Sequence, residues 1–209
     1  MTRIILIRHG ETVWNAEGRI QGHEDVALSE RGVRQAQLVA ERLSKLQLHA
    51  VYSSDLLRAK ETAEIIAARH GLKVNPTSAL REAYLGSWQG KTLAEVAETD
   101  PDLVALWLSN SAVHRPPKAE KLEDVQARAV AAVKQIAEDH PDQNVAVVAH
   151  GGPIKAIICW AIEAPISSTR LIRLDNGSIT CIRGDKTRMR LEVCNDTCHL
   201  NGSKATPVF

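Results

Sequence analysis

Two uninterrupted apolar runs constrain the fold more than anything else in the chain: Ile4-Ile5-Leu6-Ile7 and Val145-Ala146-Val147-Val148-Ala149. A strand with one wet face alternates apolar and polar residues. A run that is apolar on both faces must be covered on both, the condition of a parallel strand sandwiched between helices. The two runs also stop in the same way. The first enters Arg8-His9-Gly10 and the second enters His150-Gly151-Gly152. A cation and two imidazoles at the ends of buried strands add little to packing. Open α/β sheets bind their ligands beyond the carboxyl ends of the strands.

The intervening sequence supplies the helices. After a polar loop (14–27), Ser29-Glu30 can cap a helix whose apolar positions Val33, Ala36, Val39, Ala40 and Leu43 follow helical spacing. A short strand over 50–53 precedes a second helix with Leu56, Ala59, Ala63 and Ile66 on one face and Gly71 as its stop. This β-α-β-α order implies a parallel sheet with right-handed crossovers. Residues 73–75 can add another strand. The stretch 80–117 is irregular, with helical pieces near 93–98 and 102–108. A long amphipathic helix is expected over 122–139, a further helix over 154–162 and two late strands near 178–182 and 189–193. The expected fold is an α/β three-layer sandwich, a mostly parallel central sheet flanked by helices. Its organisation is one domain over 1–200, an insertion at about 80–121 over the active site, and a loose C-terminal tail, 201–209.

Lys and Arg number 26 against 25 Asp and Glu, and this balance argues against nucleic acid or a membrane surface as partner. No apolar run is long enough for a membrane span or a signal segment, so a cytoplasmic location is expected. The oligomeric state is open, a homodimer being one compatible arrangement.

If the strands at 4–7, 50–53 and 145–149 are neighbours, their ends bring together Arg8, His9, Arg58 and His150. Such a cluster repels itself unless an anion fills it. Gly151 and Gly152 leave backbone N–H groups free at a helix start, and Pro153 suits a first helical turn. Arg8 and Arg58 each offer a planar fork to phosphate oxygens, and Asn15 adds a neutral donor. Gly10 is read as leaving room for the phosphate. An uncharged imidazole can attack phosphorus. Glu82, in Leu80-Arg81-Glu82-Ala83-Tyr84, can protonate the leaving oxygen and later activate water.

Longer motifs extend this pattern. Arg8-His9-Gly10-Glu11-Thr12 with Trp14-Asn15 resembles the signature of the histidine phosphatase superfamily, the phosphoglycerate-mutase-like group. Arg19-x-Gln21-Gly22-x-x-Asp25-x-x-Leu28-Ser29-x-x-Gly32-x-x-Gln35-Ala36 is similar to its next segment. Ser53-Ser54-x-Leu56-x-Arg58-x-x-x-Thr62-Ala63, Leu80-x-Glu82-x-x-x-Gly86-x-Trp88-x-Gly90, His150-Gly151-Gly152 and Asn195-Asp196-Thr197-Cys198-His199-Leu200 continue the likeness in order. The resemblance implies a phosphoglycerate-mutase-like fold and an enzyme with His9 as phosphorylated nucleophile and Glu82 as proton donor. Arg8, Arg58 and His150 would bind the phosphoryl group, with Asn15 and the Gly151 backbone assisting. No metal and no cofactor are implied, and the partner is a small phosphomonoester. Gly86-Ser87-Trp88-Gln89-Gly90 is similar to the α-ribazole and broad-specificity phosphatase branch.

Three functions stay open: a phosphomonoester hydrolase, a phosphoglycerate mutase that returns phosphate to an acceptor, and a non-catalytic phospholigand module. Retention of both His9 and Glu82 weighs against the last. Gln21, Gly22 and His23 lie in a loop that could face substrate. Lys121 and Lys155 depart from the family pattern near the expected substrate mouth, which leaves the substrate open. Glu11 reads as a structural carboxylate, and Trp88 and Trp107 as core or lid packing. Cys194-x-x-x-Cys198-His199 invites a zinc reading. It has no second ligand pair, so buried thiols near the C-terminus are expected instead.

Overall fold

The computed structural model describes residues 1–110 and 113–200. The expected tail, 201–209, lies outside the described residues. In chain order the elements are β1 (Thr2–Arg8), α1 (Val13–Ala16), α2 (Glu30–Leu43), β2 (Ala50–Ser54), α3 (Leu57–His70) and β3 (Val74–Thr77). Then follow α4 (Leu93–Ala97), α5 (Pro101–Ser109), α6 (Leu122–Asp139), β4 (Asn144–Ala149), α7 (Gly151–Ala161), β5 (Ile179–Gly184) and β6 (Met189–Asp196).

The six strands form one sheet in the order β3-β2-β4-β1-β5-β6. β1, β2, β3 and β4 are mutually parallel, and β5 and β6 run antiparallel at one side. The apolar runs are the two central strands, which is why they are apolar on both faces. Successive residues serve opposite layers. Ile4, Leu6, Val145 and Val147 pack with Val133 and Ile136 of α6 and Ile154 and Ile157 of α7. Ile5, Ile7, Ala146 and Val148 pack with Val39 and Leu43 of α2 and Ala63 and Ile66 of α3. The α/β three-layer sandwich is therefore the fold.

Register places the site. β1 pairs with β4 from Ile4↔Val145 to Arg8↔Ala149, so the next residues, His9 and His150, leave the sheet side by side. Ser53 of β2 lies opposite Val148, which brings the start of α3, and with it Arg58, to the same edge.

Three local readings change. The loop after β1 contains a four-residue helix, α1. Its Thr12 hydroxyl accepts from the Asn15 backbone N–H, and the Asn15 side chain accepts in return from the Thr12 backbone N–H. α7 begins at Gly151, not at Ile154, so both glycines belong to its first turn. Cys159 is buried, but Cys194 and Cys198 are exposed. The expected buried thiols fail there because Cys194 lies on β6, the edge strand, and Cys198 in the turn that follows it. Among the described residues, no group of three His, Cys, Asp or Glu side chains could hold a metal ion, and no helix is long and apolar enough to cross a membrane.

The stretch from Leu80 to α6 carries its own small core. Trp88, Val96 and Val104 are buried together, and the Trp107 ring meets Trp88 edge-on at 5.7 Å. The two tryptophan rings thus pack against each other.

Candidate active site

At the carboxyl edge of the sheet, His9 follows β1 directly and is 3 % exposed. Its Nδ1 lies 2.7 Å from the Gly10 carbonyl oxygen. A carbonyl only accepts, so Nδ1 carries the proton and donates. Nε2 then holds a lone pair, and Arg58 Nε donates to it at 3.3 Å. Burial, then the charges of Arg58 and Arg8, hold the His9 imidazole well below its usual pKa. His9 is thus a neutral ring with a fixed tautomer and its free nitrogen turned to a guanidinium.

His150 is fully buried, with its ring centroid 5.1 Å from that of His9. Burial first, and then the Arg58 charge, keep it neutral too. Neither of its ring nitrogens has a partner among the described residues, nor does Arg8 Nε. Buried polar atoms in native proteins are almost always paired, so the unpartnered nitrogens of His150 and Arg8, beside His9, mark a place for an oxygen-rich ligand.

Arg58 is 1 % exposed. Its Nη1 donates to the Glu24 carbonyl and its Nη2 to the Gly22 carbonyl, both at 2.8 Å. No carboxylate among the described residues pairs with it, and burial lowers its pKa to about 10. It stays charged at neutral pH, without an ion-pair partner among the described residues but within reach of the Glu82 and Asp25 charges. Arg8 Nη1 donates to the Leu174 carbonyl at 2.6 Å, which leaves Nε turned inward.

Glu82 reaches the same point from the loop after β3. Its Oε1 and Oε2 accept from the Gly152 N–H at 3.1 and 3.2 Å, and Oε1 also accepts from the Ala83 N–H at 2.8 Å. Gly152 has to be glycine for this contact: a Cβ there would lie 2.2 Å from Oε1.

The other sequence-selected residues support these. The Asn15 Oδ1 accepts from Thr12 and, at 3.2 Å, from Asn176 Nδ2. Gln21 is buried and its Oε1 accepts from the Thr12 hydroxyl at 3.0 Å. Gly22 gives its carbonyl to Arg58. His23 Nε2 donates to the Glu82 carbonyl at 2.8 Å, with its ring edge-on to Tyr84. Glu11 accepts from Ser29 and Arg31, in keeping with a structural carboxylate. Lys155 lines the cavity beside Glu82, whereas Lys121 is the residue preceding α6 and does not.

One role is corrected. Gly10 does not owe its smallness to a phosphate. A Cβ on it would sit 2.4 Å from the Gly32 carbonyl oxygen, so it is the close approach of α2 that excludes a side chain.

Sequence reasoning missed three supports. Arg128 on α6 donates to the carbonyls of Ala79, Arg81 and Glu82 and pairs with both oxygens of Glu120, fixing the Glu82 loop. Thr62 Oγ1 accepts from the Gly10 N–H. Asn176 Nδ2 donates to the His9 carbonyl at 3.1 Å. An arginine on an amphipathic helix and an asparagine in a loop carry no local sign of such a task.

A cavity of about 270 Å³ opens from Arg8, Glu82 and Gly151 toward Trp107, Lys155 and Arg170. A larger cleft of about 600 Å³ passes Glu11, Arg34 and Asp175. It is bordered by none of His9, Arg58, Glu82 or His150, so the smaller cavity is the one that belongs to the site.

The model for the histidine phosphatase superfamily (branch 1) matches residues 4–197. The chain is 41% identical to phosphoglycerate mutase-like protein 4 of Arabidopsis thaliana, over 94% of this chain and 86% of that protein. It is 37% identical to the metal-independent phosphoserine phosphatase of Arabidopsis thaliana, over 96% and 84%. Among solved structures, mycobacterial glucosyl-3-phosphoglycerate phosphatase with VO3 is similar at TM-score 0.87 and 36% identity, covering 93% of this chain and 99% of that one. An Escherichia coli chain of the α-ribazole-5'-P phosphatase type matches at TM-score 0.84 and 28% identity, over 93% and 96%.

Proposed function

The chain belongs to the histidine phosphatase superfamily, and from that membership we propose that it is a phosphomonoester hydrolase working through a phosphohistidine on His9. Its substrate is a small phosphorylated metabolite. The observation that carries this reading is the hydrogen-bond state of His9. With Nδ1–H committed to the Gly10 carbonyl, the lone pair sits on Nε2 at neutral pH, and the Arg58 N–H that reaches it at 3.3 Å gives way to phosphorus.

In the first step Nε2 attacks phosphorus in line, the P–N bond forms and the ester P–O bond breaks. Glu82 gives the leaving oxygen its proton. The Gly10 carbonyl stabilises the charge that develops on the ring. Arg8, Arg58, the His150 ring N–H and the Gly151 N–H stabilise the equatorial oxygens, and phosphoryl transfer depends mainly on such positioning and charge. In the second step water attacks phosphorus, Glu82 takes its proton and the P–N bond breaks. Phosphate leaves and the ring returns to its starting tautomer.

The test is to mix the enzyme with a labelled phosphomonoester and quench in alkali. The label should appear as acid-labile phosphate on His9, and His9→Ala should abolish both the label and turnover. Full activity in His9→Ala would end the proposal. The mutase alternative shares the pocket and is favoured by the name of the 41%-identical Arabidopsis relative. It predicts 2-phosphoglycerate from 3-phosphoglycerate, where the hydrolase predicts free phosphate.

A further inference from the structure

The segment from Asn195 to Leu200 has no place among the groups assigned to the phosphoryl site, yet it reaches the nucleophile through one loop. That loop, 174–177, leads into β5 and holds both residues at the end of β1. The Leu174 carbonyl accepts from Arg8 Nη1 at 2.6 Å. The Asn176 side chain donates to the His9 carbonyl at 3.1 Å. The Gly177 N–H donates to the Arg8 and His9 carbonyls at 3.0 and 3.2 Å.

Two side chains of the closing segment fix this loop in turn. Asn195 Oδ1 accepts from the Asp175 N–H at 2.8 Å, and its Nδ2 donates to Asp175 Oδ2 at 2.9 Å. His199 Nε2 lies 3.0 Å from the Gly177 carbonyl oxygen. A carbonyl only accepts, so this nitrogen carries the proton and donates.

The backbone is bent to make both contacts. Ile179 pairs with Asp196 and Cys181 with Val193, so β6 holds one residue more than β5 between these pairs. Such a bulge re-aims a side chain. Asn195 sits in it at φ 54°, in the left-handed region that asparagine tolerates better than most residues. Its own N–H turns to Thr180 Oγ1 at 3.2 Å. Backbone strain of this kind persists only where the surroundings over-determine it, and here both ends of the Asn195 amide are committed to Asp175. Asp196 Oδ1 then accepts from the Cys198 N–H at 2.9 Å, which folds the chain into the turn that carries His199 to Gly177.

We propose that Asn195 and His199 are positioning residues for the nucleophile. By clamping the 174–177 loop they hold the His9 carbonyl, and with it the ring Nε2, in line with phosphorus. This deepens the phosphohistidine reading and rests on it for the role of His9. The His9 backbone is fixed on one side by its N–H to the Ala149 carbonyl and on the other by the loop. Release of the loop leaves only the β4 side, and a displacement near 1 Å at a reacting atom costs roughly 10²-fold in rate.

The experiment follows nitrophenolate release from p-nitrophenyl phosphate in a single turnover with enzyme in excess. Nitrophenolate leaves unprotonated, so its release reads the attack by His9 and not the proton from Glu82. At saturating enzyme the rate constant does not depend on the fraction folded. A residue that merely supported the fold would lower Tm and leave this constant alone. Asn195→Gly keeps the left-handed backbone and removes the clamp, and His199→Leu removes the donor and keeps the bulk. We expect each to lower the saturating rate constant about 10- to 100-fold while the half-saturating concentration moves by less than about threefold. His199→Gln, which restores an N–H donor, should recover most of the rate. A rate constant within about threefold of wild type in either variant would overturn the proposal. So would a loss confined to the half-saturating concentration, since the loop would then be serving Arg8 and phosphate binding. Hydrogen exchange of the buried Gly177 amide is read in the same variants and should quicken by about tenfold. If the wild type releases no nitrophenolate the hydrolase reading fails, and exchange still decides the clamp: unchanged protection of Gly177 would overturn it.

Discussion

Replacing Gly152 by alanine should disable proton transfer while leaving the phosphate pocket in place. Gly152 is the second residue of α7, and its N–H reaches both oxygens of Glu82 at 3.1 and 3.2 Å. An alanine Cβ would stand 2.2 Å from Oε1, against an ordinary contact of 3.4 Å, so the carboxylate must retreat by about 1.2 Å. A misplacement near 1 Å costs roughly 10²-fold in rate. Losing the N–H bond to a charged group costs about 1.5–3 kcal/mol, and alanine's better helix propensity returns about 1 kcal/mol, so net stability falls by only about 0.5–2 kcal/mol. The assay is quench-flow formation of the phosphoenzyme from an alkyl phosphate and from p-nitrophenyl phosphate. The alkoxide needs its proton and should slow about 10²-fold, whereas nitrophenolate leaves unprotonated and should slow less than about tenfold. A variant within threefold of wild type on the alkyl ester would refute the reasoning. An equal loss on both esters would refute it as well, because the substitution would then be damaging the phosphate pocket.

Two further outcomes follow from buried groups. His9 and His150 are held neutral, with pKa values below those of the unfolded chain. Below about pH 6.5 the unfolded state takes up protons that the folded state refuses, so stability falls as pH falls, by up to about 1.4 kcal/mol per pH unit for each ring. Urea titrations between pH 7.5 and 5.5 should record this slope. His150→Gln should remove that ring's share, up to about 1.4 kcal/mol per pH unit, and an unchanged slope would contradict the assignment. Arg128→Met frees three backbone carbonyls and strands Glu120. It should cost roughly 3 kcal/mol, about 6–12 °C of melting temperature for a chain of this length. An unchanged Tm would show that the clamp on the Glu82 loop is dispensable.

What could be read in advance depended on whether the physics was local. The strands at Ile4–Ile7 and Val145–Ala149 were legible because burial on both faces demands an unbroken apolar run. The residues just past them were legible as site candidates because they break that run. Arg58 and Glu82 were legible only through the longer motifs around them. The reasons that act across the chain left no local trace. Gly10 looked like space for a ligand, yet its neighbour is the Gly32 backbone. Arg128 looked like a solvated helix cation, yet it binds the Glu82 loop. Cys194 and Cys198 looked like buried thiols, but a linear sequence does not say that β6 is the edge of the sheet.

The tethers on His9 bear on when the enzyme acquires its activity during synthesis. Its N–H donates to the Ala149 carbonyl, its own carbonyl accepts from the Gly177 N–H, and Asn176, 167 positions further on, donates to the same oxygen. His9 stands 140 positions before Ala149 and 167 before Asn176, so the groups that orient it come from distant parts of the chain. Contacts of such sequence separation form late and are costly in loop entropy. A nascent or shortened chain that ends before Asn176 carries the attacking imidazole without its frame. Ordering of His9 thus becomes a report on completion of the fold from β1 through Gly177.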